Sequence, residues 1–339
     1  MGRSLGDLAI FVGRRLLQLL PVLLGVIVLA FLVTHVAAID PCPRWYPKAG
    51  SATIAHCEAQ FRAPLLDQFW TYFSQLLGGN WGTSQLGAPV LPAIVTSVPA
   101  TVELVLASLL IMIVIGIPMG VVAAQFAGRW PDHLVRIFYL SGWATPTYVG
   151  AIIAAVYLAH PLGLPTTGQY SAAPPFPERT HFSVLDALLA GNLPYAADAV
   201  GHLILPASVL AFINMGIATR MTRASMLEVL PLDFVKSARM KGLSNFIVLY
   251  KHALRNALIT TTTVLGVTAG GLLSGTVVIE EVFGWQGIGQ YAFDSMGGSG
   301  QPNFDGAIAV VVVFAIAVVL ANLLADILYG VLDPRVEWR

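Results

Sequence analysis

Charge is what this sequence lacks most. Asp, Glu, Lys and Arg make up 11% of its 339 residues, against roughly 25% in a soluble domain. Apolar residues make up 56% and fall into runs too long for soluble cores, so the chain is a polytopic membrane protein. The two signs balance at 18 each, and no bulk field draws nucleic acid. Cysteine is nearly absent, with only Cys42 and Cys57, and neither a C-x-x-C nor a His-rich cluster suggests a metal site. Hydrolase signatures such as G-x-S-x-G and H-E-x-x-H are missing. None of the four lysines (Lys48, Lys236, Lys241, Lys251) follows a glycine, which excludes a P-loop. The chain therefore hydrolyses no ATP by a Walker-type site of its own, and no catalytic residue, metal ligand or bound cofactor is expected.

What is present is a series of apolar segments. After the basic residues Arg3, Arg14 and Arg15, a first span runs from about 16 to 39, too long for a signal-peptide core and right for a retained helix. Residues 41–99 form an extracytoplasmic loop between the first unit, 1–40, and a core domain, 100–339, that holds the remaining spans. Within that loop, apolar residues at 65, 66, 69, 70, 73, 76 and 77 have helical spacing, broken afterwards by Gly78, Gly79 and Gly82. This is either an amphipathic surface helix or a surface that receives a binding protein. Cys42 and Cys57 face the oxidising compartment, and a disulfide between them is expected.

Further spans are expected at about 101–127, 135–160, 202–219, 257–279 and 306–330. Glu103, Glu280 and Glu281 are placed at outer helix ends, where solvent is available. The third span contains Thr145, Pro146, Thr147 and Tyr148. Proline there frees a backbone carbonyl, giving either a packing kink or a bend that lines a pathway. A Pro- and Gly-rich outer loop, about 161–200, ends in the weakly helical 183–193. Asn214 is read as an interhelical hydrogen bond. Gly266, Gly270, Gly271 and Gly275 suit close helix packing, with a sister subunit as one partner. Asp326 is an interfacial acid or a proton carrier. With six spans, inner segments hold 14 Lys and Arg and outer segments hold 4, so both termini are cytoplasmic.

The one long polar interruption is 220–256, with Arg220, Arg223, Lys236, Arg239, Lys241, Lys251 and Arg255. Inside it, 233–241 reads as a short helix with Asp233 as its cap and Gly242 as its left-handed stop. Phe234, Ala238 and Lys241 share a face at spacings of four and three, and the small Ala238 lets another surface approach. The alternative is a basic loop that only sets topology.

Ser237-Ala238 followed by Gly242 resembles the E-A-A-x-x-x-G loop of bacterial ABC importer permeases, with Lys236 and Ser237 standing where the general motif has Glu and Ala. His252-Ala253-Leu254-Arg255-Asn256, Asn80-Trp81-Gly82-Thr83-Ser84, Pro99 to Leu104, Gly284 to Gly289 and Asp333-Pro334-Arg335 resemble the peptide/nickel subfamily. The resemblance covers about residues 10 to 335 and is to the first of the two permease subunits. It implies an all-α, six-span type I ABC importer permease in the bacterial cytoplasmic membrane, non-catalytic and surrounded by lipid. It also implies a second permease, two cytoplasmic ATPases that use ATP and Mg, and an extracytoplasmic binding protein. Asp233, Phe234, Ser237, Ala238, Arg239, Lys241, Gly242 and Leu243 would then form a coupling helix seated in an ATPase groove. Short peptides lead as substrate, followed by nickel chelates, glutathione-like compounds and oligosaccharides.

Two other classes compete. An ion-coupled secondary transporter would use Asp326 as proton carrier, but the sequence has no pair of inverted, broken spans. An intramembrane enzyme would need a buried Ser/His or His/Glu pair, and none is visible.

Overall fold

The computed structural model describes residues 5–36, 58, 62–84, 87–298 and 303–332. All regular elements among these are helical. The first span is α1 (Leu5–Val36) and the surface helix is α2 (Leu65–Leu77). The second span, α3 (Val90–Gln125), contains a π-helical turn at Met112–Gly116. Next come α4 (Trp130–Ala144) and α5 (Thr147–Leu162), a short outer helix α6 (Ser183–Leu189) and the long α7 (Leu193–Val229). The polar segment folds as α8 (Asp233–Met240). Then α9 (Leu254–Val282), entered through a π-helical turn at Ile247–Ala253, is followed by α10 (Ile288–Ser295) and α11 (Phe304–Leu332).

Five of these helices are long and apolar enough to cross a membrane, and a sixth span results if α4 and α5 count as one bent pair. The 37 residues of α7 extend about 55 Å at 1.5 Å per residue, against a hydrocarbon core of about 30 Å. Its last turns, with Arg220 and Arg223, therefore project beyond the apolar layer. This helix is also the most buried span, packed between α3, α4 and α9, whereas α1 lies at the edge against α11.

Small residues let the helices cross closely. A Cβ on Gly120 would sit 2.6 Å from Thr222 Cβ, so α3 and α7 meet there only through glycine. Gly266 and Gly270 likewise meet Ala325 and Ala321 of α11. The packing of these two is thus within this chain, as is that of Gly275, which approaches Leu210 of α7.

The third span differs most from expectation. It is not a continuous helix over 135–160 but two halves at 106° to one another. Thr145 is extended (ψ 119°) and Pro146 follows at φ −57°, ψ 138°, the conformation that proline imposes on itself and on the residue before it. Thr145 Oγ1 donates back to Ser141 O at 2.7 Å, satisfying a carbonyl that the break frees.

Two outer acids are also placed differently. Glu103 is buried, and its carboxylate accepts from Ser183 N (2.9 Å), Ser183 Oγ (2.7 Å) and Val184 N (2.9 Å). It satisfies the free N–H groups at the start of α6. Glu280 is fully buried and not at a solvated rim. Asn214 Nδ2 donates to Leu210 O, four residues back on its own helix, and among the described residues it makes no interhelical bond. Asp326 Oδ2 lies 3.3 Å from Arg15 Nε, pairing α11 with α1. Cys42 and Cys57 lie outside the described residues.

Candidate functional site

The cytoplasmic segment is built as a short helix on a π-helical turn. Leu232, not Asp233, occupies the N-cap position, and no side chain caps the helix. The Asp233 carboxylate instead accepts from Lys236 Nζ at 2.9 Å, in the first turn where negative charge meets the helix dipole. Gly242 has φ +73°, the left-handed conformation that terminates a helix without a Cβ clash.

The facing of α8 departs from the sequence expectation. Val235 and Ala238, three residues apart, are buried in the same apolar cluster as Val248, Leu249 and Ala253 of the π-helical turn. Ala238 thus faces inward. Asp233, Phe234, Lys236, Ser237, Arg239, Met240, Lys241, Gly242 and Leu243 face outward, and Met240 is 81% exposed. Phe246, 69% exposed, stacks on Tyr250 with ring centroids 4.6 Å apart. The outward surface is a basic patch with apolar side chains standing in it, and none of the described residues covers those side chains.

An ion pair that sequence reasoning missed anchors this segment. Asp132, at the start of α4, is fully buried and accepts two bonds from Arg223, at Nε and Nη2, both 2.8 Å. Arg136 Nε lies 3.4 Å from the same carboxylate, and Gly128 N donates to it at 2.9 Å. Such a bidentate fork fixes orientation as well as charge. Three residues before Arg223, the guanidinium of Arg220 lies over the Trp143 ring at 5.1 Å.

Of the four residues named for a pathway, Thr145 and Thr147 are half-buried, while Pro146 and Tyr148 are exposed. The break packs on the middle of α7, where Gly142 abuts the Phe212 carbonyl and Gly150 approaches Ile213 and Val209. The break and the cytoplasmic segment are therefore not one site. They are joined by α7, which touches the break at Phe212–Ile213 and holds the start of α4 at Arg223.

On the outer side, two stretches far apart in sequence come together. Trp285 is fully buried, and its Nε1 donates to Ala100 O at 2.9 Å. Thr101 Oγ1 donates to Glu280 Oε1 (2.7 Å) and accepts from Ile288 N (2.8 Å). Glu280 Oε2 accepts from Gln290 N at 3.0 Å. A buried carboxylate satisfied in this way fixes geometry, here holding α10 against the outer ends of α3 and α9. The signal was present in the segments Pro99–Glu103 and Gly284–Gly289, but nothing local paired them. Nearby, the Tyr170 phenol donates to Ser183 O at 2.6 Å, and burial pushes its pKa up to about 12.

Helix lengths and apolar spans together define a polytopic helical membrane protein. The family described as the inner membrane component of binding-protein-dependent transport systems matches residues 116–338. Among curated proteins, the chain is 38% identical over 329 residues to the probable D,D-dipeptide transport system permease protein DdpB of Escherichia coli K12, covering 95% of this chain and 96% of that one. It is 35% identical over 330 residues to the dipeptide transport system permease protein DppB of Alkalihalophilus pseudofirmus, covering 96% and 98%. The oligopeptide transport system permease protein AppB of Bacillus subtilis 168 is 33% identical over 336 residues, with 98% and 100% covered. Among solved structures, a chain of the MetNI methionine ABC transporter matches with a TM-score of 0.55 at 16% identity, over 72% of this chain and 97% of that one. That likeness shows the type I permease fold. The chain belongs to the family of binding-protein-dependent transport system inner membrane components. It is a non-catalytic, multi-pass subunit of the bacterial inner membrane, working with the other components of an ABC importer.

Proposed function

We propose that this chain is one of two permease subunits of an ATP-driven importer of di- and oligopeptides. The supporting observation is near-complete coverage by relatives named for dipeptide and oligopeptide transport, at 33–38% identity. On this reading a second permease completes the path, a binding protein delivers peptide outside, and two ATPases use ATP and Mg inside. The loop 220–256 is the coupling segment, and the outward face of α8 (Asp233, Phe234, Ser237 and Arg239) with Lys241, Gly242 and Leu243 after it seats in an ATPase groove. Ala238 and Val235 fix that face on the permease rather than touching the ATPase. Residues Thr145 to Tyr148 border the path at the break.

The secondary-transporter reading needs a free intramembrane acid. Its candidate, Asp326, is paired with Arg15 at 3.3 Å, which favours the ATP-driven reading.

The test is uptake of a labelled dipeptide into vesicles holding the reconstituted importer and its binding protein. Uptake should require internal ATP and survive an ionophore. Collapse with the ionophore while ATP is held constant would overturn the proposal. Phe234→Asp should abolish substrate-stimulated ATP hydrolysis while leaving assembly with the second permease intact.

A further inference from the structure

A cavity of about 270 Å³ opens on the outer side between the end of α2, the turn 80–84 and the first turn of α11. Asp305 forms part of its wall. The backbone of Gly82 lies against one side of this carboxylate, so closely that a Cβ there would overlap it, and Thr83 N donates to Oδ2 at 3.0 Å. Oδ1 has no hydrogen-bond partner among the described residues. Among the described residues the wall contains no Lys, Arg or His, so the half-buried carboxylate meets no positive partner there. The remaining wall suits an organic cation: Trp81 and Tyr72 supply aromatic rings, and Gln75 and Asn80 supply amide groups.

The surroundings set the level of the cavity. No residue of α2 is buried, and Leu66, Trp70 and Leu77 are exposed at 73%, 61% and 74%. An amphipathic helix with such a face lies in the membrane surface plane. Phe69 packs edge-on against Phe31 at the outer end of α1, at 5.4 Å. The cavity therefore sits at headgroup depth, on the flank of the bundle formed by α1 and α11 and away from the break between α4 and α5.

We propose that this cavity binds a primary ammonium group, carried by an aminophospholipid headgroup or by a free amine. The ammonium pairs with Asp305, lies against the ring of Trp81 and bonds to the amide oxygens of Gln75 and Asn80. The site shares no residue with the break at Thr145–Tyr148 or with the coupling segment.

The experiment uses the assembled importer in nanodiscs, with a carbodiimide as carboxyl reagent. Loss of the unmodified Asp305 peptide is followed by mass spectrometry, so that an amide formed with a probe amine also counts as modification. In phosphatidylglycerol discs, ethylammonium chloride should slow modification while equal potassium chloride does not. In phosphatidylethanolamine discs, slow modification without added amine identifies the lipid headgroup as the source. Equal rates in the two lipids with protection by ethylammonium identify a free amine. Trp81→Leu should raise the ethylammonium concentration for half-protection by about fivefold, the worth of one partly exposed cation–π contact. Modification that responds neither to ethylammonium nor to the lipid overturns the proposal, because no ammonium then shields Asp305. Protection unchanged in Trp81→Leu overturns it as well, since the amine then lies elsewhere.

Discussion

The Asp132–Arg223 pair lends itself to a quantitative test. Asp132 is fully buried, whereas 24% of the Arg223 side chain is exposed. Removing one partner of a buried ion pair costs about 3–5 kcal/mol, most of it the penalty of the charge left behind. In Asp132→Asn the stranded charges are Arg223 and Arg136, both of which reach water in part, so the lower end, about 3 kcal/mol, applies. In Arg223→Lys the charge stays and one of two charge-assisted bonds is lost, at about 1.5 kcal/mol. At roughly 2 °C per kcal/mol for a chain of this size, the unfolding midpoints of the purified complex should fall by about 6 °C and 3 °C. The double variant Asp132→Asn with Arg223→Gln should recover part of the loss, because only Arg136 is then stranded. Asp132→Asn with the midpoint of the parent would refute the reasoning. So would a double variant less stable than Asp132→Asn and Arg223→Gln, each measured singly, predict when summed.

Three further outcomes are expected. Gly242→Val should lose substrate-stimulated ATP hydrolysis by the reconstituted complex, because φ +73° excludes a β-branched residue even though the space around it is open. Cysteine placed at Thr147 or Tyr148 should react with small polar thiol reagents from one side of the membrane, and inaccessibility in every nucleotide state would reduce the break to packing. Cys42 and Cys57 should titrate as no free thiol in the unreduced protein, their bridge of about 15 residues contributing on the order of 3 kcal/mol.

The spans were legible because a run of apolar residues needs no partner to be recognised, and the positive-inside count orients it. Gly242 was legible for a similar reason, since its signal is local. What escaped the sequence is set by residues distant along the chain. Glu103 reads as a solvated helix end until Ser183, 80 residues on, supplies its donors. Glu280 reads likewise until Thr101, 179 residues back, meets it. Pro146 announces a freed carbonyl but not a 106° turn, which depends on α7 being there to receive both halves. The face of α8 was misassigned because Phe234, Ala238 and Lys241 do align along one side. The pair that decides its orientation is Val235 with Ala238, and only the apolar cluster beneath them reveals which side is inner.

These placements also divide the bundle by the kind of bond that holds each end. At the outer side, Glu103, Thr101, Glu280 and Trp285 tie α3, α6, α9 and α10 through bonds of 2.7 to 3.0 Å, most of them with a backbone partner. Backbone-anchored, buried polar contacts resist sliding, because any shift strands a desolvated group. At the inner side, α8 rests on an apolar seat, and Arg223 is the side chain that locks α7 to the start of α4. Apolar contacts tolerate small displacements, having no direction to lose. On the proposed coupling role, a push on α8 would meet least resistance at its apolar seat, and Arg223 would carry the start of α4 along with α7. An ion pair of two parallel 2.8 Å bonds makes α4 follow α7 as one body, whereas a single contact would let the two slip.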